Sequence, residues 1–178
     1  MITKILDGKK VFLRPIQMED TPLILKWRNN KNVQYNFVFQ EVFTNEMHEK
    51  WMRTKVASGE VVQYIIIAKE ENLPIGSIYF RDIDAKNHSA EYGIFIGEDS
   101  ARGKGYGSEA AKLFVDFGLS ELNLHRIMLR VFADNSQAIQ SYRNAGFVKE
   151  GVARDMVYQN GTYRDMVFMS IIAGERNV

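Results

Sequence analysis

Apolar and polar residues alternate along KKVFLRPI, residues 9–16, a period of two that predicts a strand ending at Pro15. The spacing then turns helical over residues 18–30, MEDTPLILKWRNN, with Asp20 or Thr21 ahead of Pro22 as the start. Residues 44–59, TNEMHEKWMRTKVASG, predict a second helix, capped by Thr44 and stopped by Gly59. Three strands follow at 61–70, 74–84 and 89–97, joined by the turn-forming stretches ENLP and AKNH. After residue 106, Ala110, Leu113, Phe114 and Phe117 recur at helical spacing and give that helix one apolar face. Residues 125–133 read as a strand. Residues 135–146, NSQAIQSYRNAG, read as a helix with Asn135 as cap and Gly146 as terminator, and 147–153 and 163–173 supply the last strands. The order β-α-α-β-β-β-α-β-α-β-β predicts an α/β (α+β) fold, a mixed sheet covered by helices, in a single domain across 1–178.

Composition narrows the possibilities. The chain of 178 residues is 46% hydrophobic and 25% charged, with a net charge of +1, so no strong field recruits nucleic acid or an anionic membrane. Its longest aliphatic-aromatic run, YIIIA at 64–68, is too short to span a bilayer, and the first ten residues hold no signal-peptide core. There is no cysteine, which removes disulfides and a cysteine nucleophile and points to a cytoplasmic location. His48, His88 and His125 lie far apart, so no metal site is expected. His125, ahead of a strand, reads as structural, and His88 as a turn residue.

The residues that carry chemistry begin at RGKGYGSEAA, 102–111. Glycine costs roughly 1 kcal/mol relative to alanine inside an element, so alternating glycines are kept where a side chain would block something. A helix beginning just after them leaves its first N–H groups unpaired and places partial positive charge there, which suits an anion such as phosphate. A tight strand-to-helix turn without ligand is the plainer alternative. The spacing excludes a P-loop and the G-x-G-x-x-G dinucleotide fingerprint.

RGKGYG resembles the pyrophosphate signature R/Q-x-x-G-x-G/A of the GNAT superfamily of acetyl-CoA-dependent N-acetyltransferases, with Arg102, Gly105 and Gly107 at its fixed positions. A second and more specific pattern, Asn-x-x-Ala-x-x-x-Tyr-x-x-x-Gly-Phe, spans Asn135 to Phe147. The element order matches as well, so the resemblance covers essentially the whole chain. Within the superfamily it is most similar to the branch of ribosomal-protein N-terminal, spermidine and aminosugar-nucleotide acetyltransferases. The resemblance implies a GNAT-like, mainly antiparallel sheet of about seven strands. It implies acetyl-CoA as cosubstrate and no metal. Gly103, Lys104, Tyr106 and Ser108 join the three signature residues around the diphosphate. Ile94, Phe95 and Ile96 offer backbone groups to the pantetheine arm, and Asn135, Ala138 and Tyr142 line it.

Acetyl transfer to an amine needs the amine neutral, so a base must take a proton that an alkyl ammonium holds up to a pKa near ~10, and the departing thiolate benefits from an acid. Without cysteine, direct attack is expected rather than an acyl-enzyme. Glu91 shares a strand face with Gly93 and Phe95 and resembles the family's strand-borne glutamate, a base acting directly or through water; a structural carboxylate is the alternative. Tyr142 lies one and two helical turns beyond Ala138 and Asn135, and the resemblance makes it the acid.

The acceptor site of this superfamily lies largely in the first two helices and the last strands. Residues 17–60 hold six acidic and six basic residues, whereas a polyamine pocket should lean acidic. The same region is rich in aromatics able to stack on a sugar or base. KWRNN and MHEKW resemble segments of the aminosugar-nucleotide enzymes, which makes Arg28, Asn29 and His48, with Glu91, acceptor contacts. The expected acceptor is an aminosugar nucleotide, with spermidine or a protein N-terminus as alternatives. An acyl-CoA-binding sensor without turnover is the reading from another class, against which intact Glu91 and Tyr142 argue. The expected partners are a small-molecule amine or peptide, with neither nucleic acid nor membrane; a homodimer is compatible with the chain.

Overall fold

The computed structural model describes residues 3–175. Its elements are β1 (Leu6–Asp7), β2 (Val11–Pro15), α1 (Thr21–Arg28), α2 (Lys31–Gln34), α3 (Asn45–Trp51), β3 (Val62–Ala68), β4 (Leu73–Asp84), β5 (Ser89–Ile96), α4 (Tyr106–Ser120), β6 (Arg126–Phe132), α5 (Ser136–Asn144), β7 (Val148–Gln159) and β8 (Thr162–Ile172). The strands form one sheet in the order β1-β2-β3-β4-β5-β6-β8-β7, antiparallel throughout except for the parallel pair β5–β6. This is the expected mixed, mainly antiparallel sheet flanked by helices. It has eight strands rather than about seven, because the two-residue β1 pairs with β2.

Local chemistry explains most boundaries. Thr44 caps α3 by accepting from Met47 N, and Asn135 caps α5 by accepting from Ala138 N. Arg14 on β2 grips Asp20 with two parallel hydrogen bonds of 2.8 and 2.6 Å, which fixes the entry to α1. The second helix is shorter than its apolar spacing suggests, since Met52–Val56 continue it as a π-helical turn. β7 runs past the expected residue 153 to Gln159. There Asn160 (φ 53°) and Gly161 (φ 82°) make the two-residue turn that closes a long hairpin onto β8.

Each face of the sheet buries its own core. On one face α4 lays Phe114 flat on Phe80, ring centroids 4.3 Å apart; a Cβ on Gly118 would come within 2.7 Å of that Phe80 ring, so glycine lets the helix seat. On the other, α1 buries Ile24 and Trp27 against Ile65, Ile67 and Phe95. Fully burying a side chain of this kind is worth roughly 1.5–3 kcal/mol.

Candidate active site

β5 and β6 pair over only three residues, Ser89↔Arg126, Ala90↔Ile127 and Glu91↔Met128. Beyond Glu91 the two strands part: β6 stays with β8, and β5 keeps β4 on one side and no strand on the other. A helix follows each carboxyl end, α4 after β5 and α5 after β6. A ligand crevice in an α/β sheet forms where neighbouring parallel strands separate in this way. The gap here opens into a cleft of about 1480 Å³, above the ~300–1,000 Å³ of a single small-ligand pocket and large enough for two substrates end to end.

One end of the cleft is made of backbone. Gly103 and Gly105 have φ of +75° and +83°, a left-handed conformation that favours glycine, and Gly105 is the N-cap of α4. A Cβ built on Gly103 meets nothing within 4 Å, and one on Gly107 meets only Ile96, at 3.7 Å. Space in front of these glycines is therefore open, and the unpaired first-turn amides of α4 border it. Arg102 stands beside it, paired to Asp99 at 3.2 Å. Lys10, which the sequence reading did not single out, reaches in from the β1–β2 turn and donates from Nζ to Lys104 O at 3.2 Å. The opening fits the diphosphate of a coenzyme A, and the unpaired edge of β5 over Ile94, Phe95 and Ile96 fits an extended pantetheine arm.

Tyr142, in the last turn of α5, lines the cleft. Its ring packs edge-on against Tyr92 at 6.1 Å and Phe147 at 5.9 Å, its hydroxyl bonds no described residue, and burial pushes the phenol well above its ordinary pKa. A phenol held so firmly protonated is a donor at neutral pH. Ser108 and Ser141 hydroxyls meet at 3.2 Å, tying α4 to α5 beneath it. Tyr79, on β4, lies over Gly93, where a Cβ would stand 2.5 Å from its hydroxyl. Tyr79 is half-buried, desolvation raises its pKa, and its hydroxyl feels Arg81, Arg28, Glu91 and Arg130.

Glu91 is already engaged. It faces Arg81 across the β4–β5 ladder, and Arg130 lies two residues beyond its β6 partner. Oε1 accepts from Arg81 Nη2 at 2.6 Å, and Oε2 accepts from Arg130 Nη2 at 3.0 Å. To take a proton, this carboxylate must work through a water or give up an arginine contact.

The other end is made of side chains. Arg28 lays its guanidinium 3.6 Å above the centre of the Phe37 ring and 5.1 Å from that of Phe43. Burial pushes its pKa down; Tyr79 opposes that and Arg81 adds to it. Its Nε is buried without a partner. His48 is 1% exposed, with Nδ1 2.8 Å from Thr21 Oγ1. Because Thr21 spends its hydroxyl proton on Met18 O at 2.6 Å, the histidine donates from Nδ1 and keeps an unpartnered lone pair on buried Nε2. Burial lowers the pKa of His48.

The cleft wall thus brings together Glu91, Ile94, Phe95, Ile96, Arg102, Gly103, Gly105, Tyr106, Gly107, Ser108, Asn135, Ala138, Tyr142, Arg28 and His48. Two expected residues stand outside it. The Lys104 side chain lines a separate shallow hollow with Lys9, Lys10 and Lys69. Asn29 spends its side chain on the backbone of Phe43, donating at 2.9 Å and accepting at 2.7 Å, so it clamps the loop behind the aromatics. Asn135, besides capping, donates to Asn36 Oδ1 at 3.0 Å across the cleft mouth. Sequence reasoning missed Tyr79, Arg81 and Arg130. Their signal was the period of two: polar side chains on the strand face that carries Glu91.

Residues 10–148 match the acetyltransferase (GNAT) domain family. The chain is similar to the spermidine N(1)-acetyltransferase of Escherichia coli K12, 30% identical over 170 residues that cover 93% of this chain and 87% of that one. It is also similar to the uncharacterized N-acetyltransferase p20 of Bacillus licheniformis, 29% identical over 94% of this chain and 95% of that one. Among solved structures, the spermidine N-acetyltransferase of Vibrio cholerae in complex with CoA and spermine superposes with a TM-score of 0.86 at 25% identity, covering 93% of this chain and 96% of that one. Family match, sheet and cleft agree: the chain belongs to the GNAT family and is an acetyl-CoA-dependent N-acetyltransferase.

Proposed function

We propose that the chain acetylates a primary amine by direct attack, with Tyr142 as general acid and Glu91 drawing off the amine proton through a water. Acetyl-CoA supplies the acyl group as a thioester. The amine nitrogen bonds to the carbonyl carbon while the carbon–sulfur bond breaks; the nitrogen loses one proton and the departing sulfur gains one. Residues 102–108 and the open edge of β5 hold the donor. The Tyr142 hydroxyl delivers the sulfur's proton, and the Glu91 carboxylate, steadied by Arg81 and Arg130, orients the water that accepts the other.

The observation that carries this reading is the unbonded Tyr142 hydroxyl on the same cleft wall as the glycine opening. As acceptor we rank an aminosugar nucleotide first, on the aromatic lining by Phe37, Phe39, Phe43 and Trp51. The relatives named for spermidine support a polyamine as the second reading. Release of CoA from acetyl-CoA, followed across a sugar nucleotide, spermidine and an N-terminal peptide, tests it. Turnover on one of them is expected. Tight acetyl-CoA binding with none on a broad panel leaves an acyl-CoA sensor instead.

A further inference from the structure

The acceptor end of the cleft carries an imbalance of charge. Arg28, Arg81 and Arg130 line it, and Glu91 is the sole acidic residue on the cleft wall among the described residues. Glu91 is shared by Arg81 and Arg130. Arg28 has neither an ion pair nor a hydrogen bond among the described residues, only the faces of Phe37 and Phe43. A guanidinium does not discharge by losing its proton, and a half-buried charge whose Nε is fully enclosed gains from a partner that pairs with it. Aromatic faces offset part of that cost and hold the fork in place, but they leave its N–H donors open. Buried Nε2 of His48, also without a partner, lies on the same wall.

A polyamine would bring two or more positive charges into this arginine-lined space. Like charges at close range cost several kcal/mol in water-poor surroundings. A monoamine with an oxyanion of its own reverses that sign, because the oxyanion pairs with the open guanidinium in the bidentate geometry for which arginine is shaped. The arginines also help the chemistry: neighbouring positive charge disfavours the ammonium form of a bound amine and so favours the neutral nucleophile.

We propose, resting on the acetyltransferase reading above, that the acceptor is an amine bearing a carboxylate or phosphate, and that Arg28 is the residue that binds this oxyanion and sets acceptor specificity. Asp or Glu side chains in a polyamine site do the opposite work, so the pocket separates this chain's acceptor from the one its named relatives take.

The test uses matched amines with acetyl-CoA: UDP-glucosamine against glucosamine, β-alanine against β-alaninamide, and spermidine alone. In the wild-type chain the anionic member of at least one pair should exceed its neutral partner in kcat/KM by about tenfold or more, and spermidine should be poorer than that anionic amine. UDP-glucosamine as the better of the two assigns phosphate; β-alanine as the better assigns carboxylate. Arg28→Met should collapse the anionic-to-neutral ratio by about 30-fold, chiefly through KM, and Arg28→Lys should fall between. Acetyl-CoA affinity like that of the wild type certifies that each variant is folded. The proposal is overturned if spermidine is the best acceptor, or if a folded Arg28→Met keeps the ratio within about threefold. Should no amine be acetylated, the acetyltransferase reading fails by itself. Calorimetry of UDP-glucosamine and β-alanine on the CoA-loaded protein then decides the oxyanion site: binding that Arg28→Met abolishes upholds it, and no binding of either ligand rejects it.

Discussion

At the end of the cleft proposed for the donor the chain presents backbone: Gly103 and Gly105 in left-handed turns, the open amides of α4, and the unpaired edge of β5. At the end proposed for the acceptor it presents side chains from α1, α3, β4, β5 and β6, namely Arg28, His48, Tyr79, Arg81, Glu91 and Arg130. Backbone recognition depends on shape and tolerates change wherever the fold is kept. Side-chain recognition depends on which residues five elements happen to contribute. One fold can therefore keep its donor while its acceptor changes, and the identity of about 30% to the spermidine enzyme is compatible with a pocket of different charge.

The largest effect expected tests the residue proposed to act between the two ends. Tyr142→Phe keeps the ring against Tyr92 and Phe147 and removes only the proton donor, so kcat should fall ~100- to 10,000-fold with acetyl-CoA affinity little changed. Wild-type turnover in that variant would take the acid role away from Tyr142. Next comes the donor end. Gly105→Val is a poor probe, because its positive φ strains any β-branched residue with or without ligand. Gly107→Leu is cleaner: the position is helical and a Cβ meets only Ile96 at 3.7 Å, so the melting temperature should hold. Acetyl-CoA affinity should drop about 10- to 100-fold by calorimetry as the longer side chain fills the opening; an unchanged affinity would move the diphosphate elsewhere.

Two smaller effects sharpen the acceptor end. Asn29→Ala removes both hydrogen bonds to Phe43 and should cost about 1–2 kcal/mol in denaturant unfolding without weakening acetyl-CoA. A full-strength fold with a raised acceptor KM would restore Asn29 as a substrate contact. The smallest effect is a pH dependence. His48 takes up a proton less readily when folded than its ordinary value of 6.5, because burial penalises the charged ring. Stability from this source is complete above about pH 6.5 and is lost as the pH falls through that value toward the lower folded one, by at most about 1.4 kcal/mol per pH unit. Melting curves at pH 7.5 and 5.5 should show a steeper loss in the wild type than in His48→Gln; parallel losses would mean that His48 titrates freely.

Local signals made the fold legible. Alternation found the strands, and caps such as Thr44 and Asn135 act within a turn of where they stand in sequence. The unread part of β7 had its own local signal, the Asn160–Gly161 pair. The glycine turn ahead of α4 was legible for the same reason: the glycines and the α4 start are contiguous. Glu91 was legible as a candidate, but its engagement by Arg81 and Arg130 was not, because strand register sets their meeting, and register depends on pairings between segments 10 and 39 residues apart. Asn29 looked like a ligand contact because nothing local announced that its partner would be the backbone of Phe43.

The three-residue ladder between β5 and β6 has a mechanical side as well. Strands β1 to β5 and strands β6, β8 and β7 form two leaves, joined along the sheet by Ser89–Glu91 on one side and Arg126–Met128 on the other. Beyond that short spine the leaves are bridged by side chains, Arg130 to Glu91 and Asn135 to Asn36, and by Ser108 to Ser141 between the helices. Apart from the two-residue β1–β2 ladder at the sheet's edge, no neighbouring strands pair over so few residues, so bending between the two leaves meets least backbone resistance along this seam. The short seam between the leaves is thus also the line along which the proposed reaction brings its two substrates together.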